Sequence, residues 1–279
     1  MATPTLTKTT LAGAIGEILI DVRSGNRAHP GPATLILHGF KGFKDWGMFP
    51  PLAERLARAG FTAVSFNLSG SGVDDQGRFS RPERFGHNSF SAERADVDAV
   101  MAALERGELG IPKPTSVGII GHSRGGGIAI LVAEQSRRIA ALATWAAIAH
   151  VRRWSADQRR LWREQGKLEI VNARTGEVLP MYLETLDDLE ANGSGSLDIE
   201  AAAARLTTPW LLVHGEADEA VPITEARQLL GAARRARVES LLLPETGHTF
   251  GAVHPFAGTT PSLERAIEAT VAFFSRELA

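Results

Sequence analysis

The stretch that most narrows what this chain can fold into is Gly121-His122-Ser123-Arg124-Gly125. An apolar run, Thr115-Ser116-Val117-Gly118-Ile119-Ile120, precedes it and reads as a buried strand. Gly126 to Glu134 follows and reads as a helix. A strand that turns into a helix over so few residues holds its central serine in a strained backbone geometry. Small neighbours are needed there so that strand and helix do not collide. Ser123 would then stand at the carboxyl end of a central strand. It would face the N-terminus of the next helix, which favours developing negative charge.

Glycine-flanked serines also mark ordinary turns, so the rest of the chain decides what this one is. Gly16 to Val22 reads as an early strand, and Arg23 to Pro32 as a turn. Ala33 to Leu37 is a buried strand that ends at His38-Gly39-Phe40. Pro50 to Ala59 has helical spacing with Gly60 as its cap, and Phe61 to Phe66 is the next strand, running into the Ser69–Gly72 loop. Ser89 to Glu105 is helical, and Ile139 to Ile148 reads as a strand after the Ser123 helix. The rhythm breaks between about His150 and Leu206. There, two short strands (Lys167 to Val171 and Glu177 to Leu179) flank a turn and read as a hairpin, and Tyr182 to Leu189 looks helical. It resumes with a strand from Pro209 to His214, a helix from Ile223 to Gly231, a strand from Val238 to Leu243 and a closing helix from Pro261 to Leu278.

Apolar strands alternating with helices predict an α/β fold. Its central sheet would have about eight mostly parallel strands, with helices on both faces. The 279 residues suit one domain, 1–279, with residues 150–206 as a small cap or lid inserted in it. Ligands in such folds bind beyond the carboxyl ends of the strands. The His38–Phe40 loop, the Ser69–Gly72 loop and Ser123 all fall at such ends.

Composition removes other classes. The formal net charge is −2, so there is no basic footprint for nucleic acid or an anionic membrane. With no cysteine there is no disulfide, thiolate metal site or cysteine nucleophile. No apolar stretch approaches the roughly 18 residues that span a bilayer. The Thr-rich start is not followed by the apolar core of a signal peptide, so a cytoplasmic location is expected. No metal and no cofactor are expected either. Position 75 is Asp75, which denies Ser69-Gly70-Ser71-Gly72 the third glycine of a dinucleotide loop, and neither His-Glu-x-x-His nor a Walker loop occurs.

Two partners for Ser123 arrive in order. Asp218 follows the strand that ends at His214-Gly215, and His248 follows the last strand, in Gly247-His248-Thr249-Phe250. Nucleophile, acid, base is the chain order expected of a serine triad on this fold. A serine hydroxyl attacks poorly until an imidazole takes its proton, and the acid fixes the imidazole tautomer. Glu216 and Glu219 are nearby rivals to Asp218, and His254 is a rival to His248 that lies further from its strand end. His122 reads as packing or hydrogen-bonding beside the serine, His38 as tying down its own loop, and His87 and His150 as structural or solvent-facing. An oxyanion hole would take the backbone N–H groups of Arg124 and Phe40. Candidate substrate-pocket residues are Phe43, Trp46, Trp154, Trp162 and Tyr182, with Met181, the Phe40 ring and the loop through Asp74.

Together these signals resemble the α/β-hydrolase fold serine hydrolases over nearly the whole chain. The His38-Gly39-Phe40 loop, the Gly-His-Ser-Arg-Gly-Gly elbow and the Gly-His-Thr-Phe ending resemble the dienelactone-hydrolase-like and cinnamoyl or feruloyl-esterase-like branch. A hairpin-bearing insertion is similar to the cap of those esterases. Dienelactone hydrolases carry a cysteine nucleophile where this chain has Ser123, so the resemblance implies hydrolysis of small-molecule carboxylic esters. Two alternatives stay open: a prolyl-oligopeptidase-like or aminopeptidase-like peptidase, and a ligand-binding protein on a hydrolase scaffold. A homodimer is compatible with the sequence.

Overall fold

The computed structural model describes residues 3–25, 29–172 and 176–278. The elements in chain order are β1 (Thr5–Ala12), β2 (Glu17–Ser24), β3 (Ala33–Leu37), α1 (Phe49–Arg58), β4 (Thr62–Asn67), α2 (Pro82–Gly86), α3 (Phe90–Glu105), β5 (Val117–His122), α4 (Arg124–Gln135) and β6 (Ile139–Trp145). They continue with α5 (Ala156–Gln165), β7 (Lys167–Val171), β8 (Val178–Tyr182), α6 (Leu183–Asn192), α7 (Ile199–Arg205), β9 (Trp210–Gly215), α8 (Ile223–Ala232), β10 (Val238–Leu243) and α9 (Pro261–Glu277).

Eight strands form one sheet in the order β1-β2-β4-β3-β5-β6-β9-β10. β1 and β2 run antiparallel to their neighbours, and all pairings from β4 to β10 are parallel. Successive side chains along a strand point to opposite faces, and here both faces are covered. Leu35, Leu37 and Ile119 therefore pack into the core under α3, α4, α7 and α8. Ile36 and Ile120, their immediate neighbours, pack into the core under α1 and α9. The parallel register aligns the carboxyl ends, with Leu37 beside Gly121 and Gly121 beside Thr144. This alignment brings the loops after β3, β5, β9 and β10 to one edge.

The fold expected from the sequence is the one observed; besides the short helix α2, three differences stand out. β1 is an additional strand in the Thr-rich start. The strand after α4 stops at Trp145 instead of running on to Ile148. Ala146 takes a positive φ of 47° just after its amide has donated to the Val213 carbonyl. That turns the chain out of the sheet and delivers the Ile148 amide to the carbonyl of Ser123. Third, a helix, α7, lies within the stretch that showed no clear rhythm. Asp198 caps its N-terminus through the Ala201 amide, and its Ile199, Ala202 and Ala203 are buried in the main core. The expected hairpin is present as the antiparallel pair β7–β8. Its turn, expected over Asn172–Gly176, lies partly outside the described residues, as do parts of the Arg23–Pro32 turn.

Among the described residues no helix is long and apolar enough to cross a membrane.

Candidate active site

Ser123 has φ 57° and ψ −122°, a conformation that L-residues rarely adopt and that persists only where the surroundings impose it. Here they do. The Ser123 amide donates to the Trp145 carbonyl of β6, and its carbonyl accepts from the amides of Gly126, Gly127 and Ile148. The flanking glycines are steric requirements. A Cβ at Gly121 would lie 2.1 Å from the Gly125 carbonyl oxygen, and one at Gly125 would lie 2.3 Å from that of His38. The Gly-x-Ser-x-Gly pattern is thus the backbone contact between β5, α4 and the loop after β3. The side chain of Ser123 does not cap α4, although the residue occupies the capping position.

Asp218 and His248 meet beyond the ends of β9 and β10. Oδ2 of Asp218 accepts from Nδ1–H of His248 at 2.7 Å. Its Oδ1 accepts from the amides of Ala220 and Val221, each at 2.9 Å. Burial pushes the Asp218 carboxyl up, but His248 and these two amides outweigh it and hold the pKa below the ordinary carboxylate value. The acid is therefore an anion near neutral pH. The bond it accepts puts the proton of neutral His248 on Nδ1 and leaves the Nε2 lone pair available as a base.

Three other histidines hold this arrangement and carry no charge. His122 donates from Nε2 to the carbonyl of His248 at 2.9 Å, and burial together with the neighbouring His248 lowers its pKa to about 3. His38 donates from Nδ1 to the Gly39 carbonyl and accepts at Nε2 from the Leu68 amide. Only a neutral ring can do both, and burial lowers its pKa to about 4. His214 donates to the Val221 carbonyl, and burial lowers its pKa as well. His254, the rival base, packs against Phe43 and Trp46, and its Nδ1 accepts from the Gly47 amide.

Ser123 and His248 line one cavity of about 450 Å³, together with Gly39, Phe40 and Arg124. Among the described residues, neither the Phe40 nor the Arg124 amide donates to a backbone carbonyl. For Arg124 this follows from its place at the first position of α4, where amides have no partner within the helix. The two residues named from the sequence as oxyanion donors thus line the cavity that holds the serine.

The structure divides the candidate pocket residues. Trp46 and Trp154 line the cavity. Phe43 does not; it lines a neighbouring cavity of about 230 Å³ with Phe79 and His254. Trp162 is 0% exposed. It packs among Phe85, Leu179, Met181 and Leu186, and its indole N–H is spent on the Met181 carbonyl. Met181 belongs to the same buried cluster. Tyr182 turns the other way, donating its hydroxyl to Glu83 and resting against His87. Asp74 closes its own turn by accepting from the Gln76 and Arg78 amides. Phe43, Trp162, Met181, Tyr182 and Asp74 are therefore corrected. Aromatics in an insertion can fill its own small core as readily as a substrate cavity, and helical spacing does not distinguish the two. Phe49, Phe90, Ile148 and Val221 line the cavity and were not anticipated. Their placement just beyond strand ends or at the first residue of a helix was the available signal.

The chain matches the alpha/beta hydrolase family over residues 35–260 and belongs to it. No curated protein matches it by sequence. Among solved structures it is similar to Est1E from Butyrivibrio proteoclasticus with ferulic acid bound, at TM-score 0.69 and 20% identity, over 94% of this chain and 95% of that one. It is also similar to dienelactone hydrolase from Anabaena variabilis, at TM-score 0.64 and 14% identity, over 99% and 100% of the two chains. A third similar fold is the acylaminoacyl peptidase of Pyrococcus horikoshii, at TM-score 0.70 and 16% identity, where all of this chain covers 42% of the longer one.

Proposed function

We propose that the protein is a serine hydrolase that cleaves small carboxylic esters. The observation that carries this reading is the 2.7 Å Asp218–His248 hydrogen bond, set on the cavity that also receives the strained Ser123. In the proposed reaction His248 Nε2 takes the hydroxyl proton as Ser123 Oγ attacks the ester carbon. The carbonyl electron pair moves to oxygen, where the amides of Phe40 and Arg124 and the N-terminus of α4 meet the charge. Collapse expels the alcohol, which receives its proton from His248, and leaves acyl-Ser123. Water then repeats the sequence and releases the acid. Asp218 stabilises the imidazolium in both halves.

The walls favour a flat, apolar acyl or alcohol group. Phe40, Trp46, Phe49, Phe90 and Trp154 line the cavity with Ser123, Lys41 and Arg153 add cations to its wall, and no carboxylate lines it among the described residues. The fold-level likeness to Est1E with ferulic acid bound supports trying aromatic acids first.

The test is labelling with a fluorophosphonate, mapped by peptide mass spectrometry, on the wild type and on His248→Ala. A label on Ser123 that is lost or greatly slowed in the variant is expected. A folded wild type that takes no label would overturn the enzyme reading in favour of ligand binding. A panel of aryl and aliphatic esters, with an aryl amide included, then separates esterase from peptidase.

A further inference from the structure

The residue after the nucleophile is an arginine whose side chain is not at the surface. Arg124 is 5% exposed, and its Nε donates to Oε2 of Glu93 at 2.8 Å. Glu93, on the first turn of α3, is equally buried, and its Oε1 accepts from Asn88 Nδ2 at 2.7 Å. The guanidinium lies 3.7 Å from the ring centre of Phe90 and 5.5 Å from that of Phe40. Its Nη2 atom is buried without an acceptor, so this one ion pair and these two rings set its position. The Phe40 ring also packs against Phe85, with ring centres 5.4 Å apart.

Such an arrangement is poorly explained by stability. A buried ion pair rarely stabilises more than apolar residues of the same volume. A cation in the first turn of α4 also opposes the helix dipole. What the arrangement does is couple two residues far apart in sequence. The side chain of Arg124 presses on the side chain of Phe40, and their amides are the two oxyanion donors under the reading above.

We propose that Glu93 is a positioning residue for the oxyanion hole. It fixes the Arg124 guanidinium between Phe90 and Phe40, and so keeps the two amides at one spacing. The inference rests on the serine-hydrolase reading for its catalytic consequence, but not for its structural one. Burial raises the Glu93 carboxyl, while Arg124 and Asn88 pull it down.

The experiment compares wild type, Glu93→Ala, Arg124→Met and the double variant; both changes at these positions leave every backbone amide in place. For an aryl ester, kcat should fall about ten- to a hundredfold in either single variant, the range for a misplaced reactive geometry, with KM within about threefold. The double variant should be no worse than the worse single one, because both changes cut the same linkage. Hydrogen–deuterium exchange should rise in peptides covering Phe40 and Arg124, and not in those covering β9 and β10. Glu93→Gln keeps the acceptor and should restore part of kcat, and it stands in if the alanine variant does not fold. Additive losses, or exchange that rises across the whole sheet, would overturn the proposal. Should the wild type prove inactive, local loosening at Phe40 still supports the brace while the hydrolase reading falls; unchanged exchange there overturns the brace.

Discussion

The elbow around Ser123 and the α5–β7–β8–α6 segment are held by different kinds of force. At the elbow, backbone presses on backbone. Gly121, Gly125 and the loop after β3 approach so closely that a single methyl group would displace a strand or a helix. The α5–α6 segment has a small apolar cluster around Trp162, hydrogen bonds from Ser91 to Asp188 and from Thr185 to the Asn88 carbonyl, and exposed ion pairs of Arg163 with Asp187 and Glu190 and of Lys167 with Glu169. Exposed pairs of this kind contribute little, because water and salt screen them. Under the proposed function the chemistry is built where the chain cannot give, and of the α5–α6 segment only Asn172 lines the cavity among the described residues.

That contrast breaks most severely at the nucleophile. Ser123→Ala or His248→Ala should lower kcat by more than about a thousandfold with the fold intact, as triad deletions do; stopped assays with circular dichroism check both. Gly121→Ala comes next. Its methyl has only backbone to meet, so the variant should lose several kcal/mol, about the size of a severe core defect, or fail to accumulate in soluble form. Thermal melts of the purified chain decide this. If Gly121→Ala melts with the wild type, the elbow is not the rigid region described above.

The pH comparison is smaller. His38 and His122 titrate in the folded chain near 4 and 3, below the ordinary imidazole value of 6.5. The unfolded chain then binds more protons as pH falls below that value. Stability present at pH 7 and above is lost on acidification, by about 2 kcal/mol for each ring at pH 5. Melts between pH 8 and 5 should show it, and His122→Gln should flatten the slope. Trp154→Ala should alter acyl preference by a fewfold change in KM with little effect on melting, because the ring both lines the cavity and packs edge-on against Trp162. Trp162→Ala, by contrast, should destabilise by about 3–5 kcal/mol as a buried aromatic truncation. Arg163→Ala should be nearly silent in thermal melts, and more so in high salt.

Legibility in the sequence follows the same divide. Ser123, Asp218 and His248 could be named because each follows a strand pattern and sits among glycines or at a turn, so topology alone carries them to one edge. The mostly parallel architecture was readable from apolar runs that no surface element could carry. β1 was not, because Thr5 to Ala12 lies at the sheet edge and none of its residues is fully buried. It shows the Thr-rich alternation of a half-solvated strand without an apolar run. Trp162 and Trp154 look alike in sequence, two tryptophans of one insertion eight positions apart, yet one is sealed in and the other lines the cavity. Which way each points is settled by Phe85, Met181 and the hairpin, contacts that no spacing encodes. The coupling of Arg124 to Glu93 was hidden for the same reason.

The order of strands in the sheet also bears on when the molecule becomes competent. Ser123 follows β5 near the centre, whereas His248 follows β10, the outermost strand on that side, and Asp218 follows β9 beside it. Parallel neighbours this far apart in sequence pair slowly, because the intervening chain must be ordered first. The relay can close only when the far edge has zipped onto β6. During refolding, the capacity of Ser123 to take a covalent label should therefore lag behind the recovery of helical signal, and the serine becomes a timer for the last strands to join.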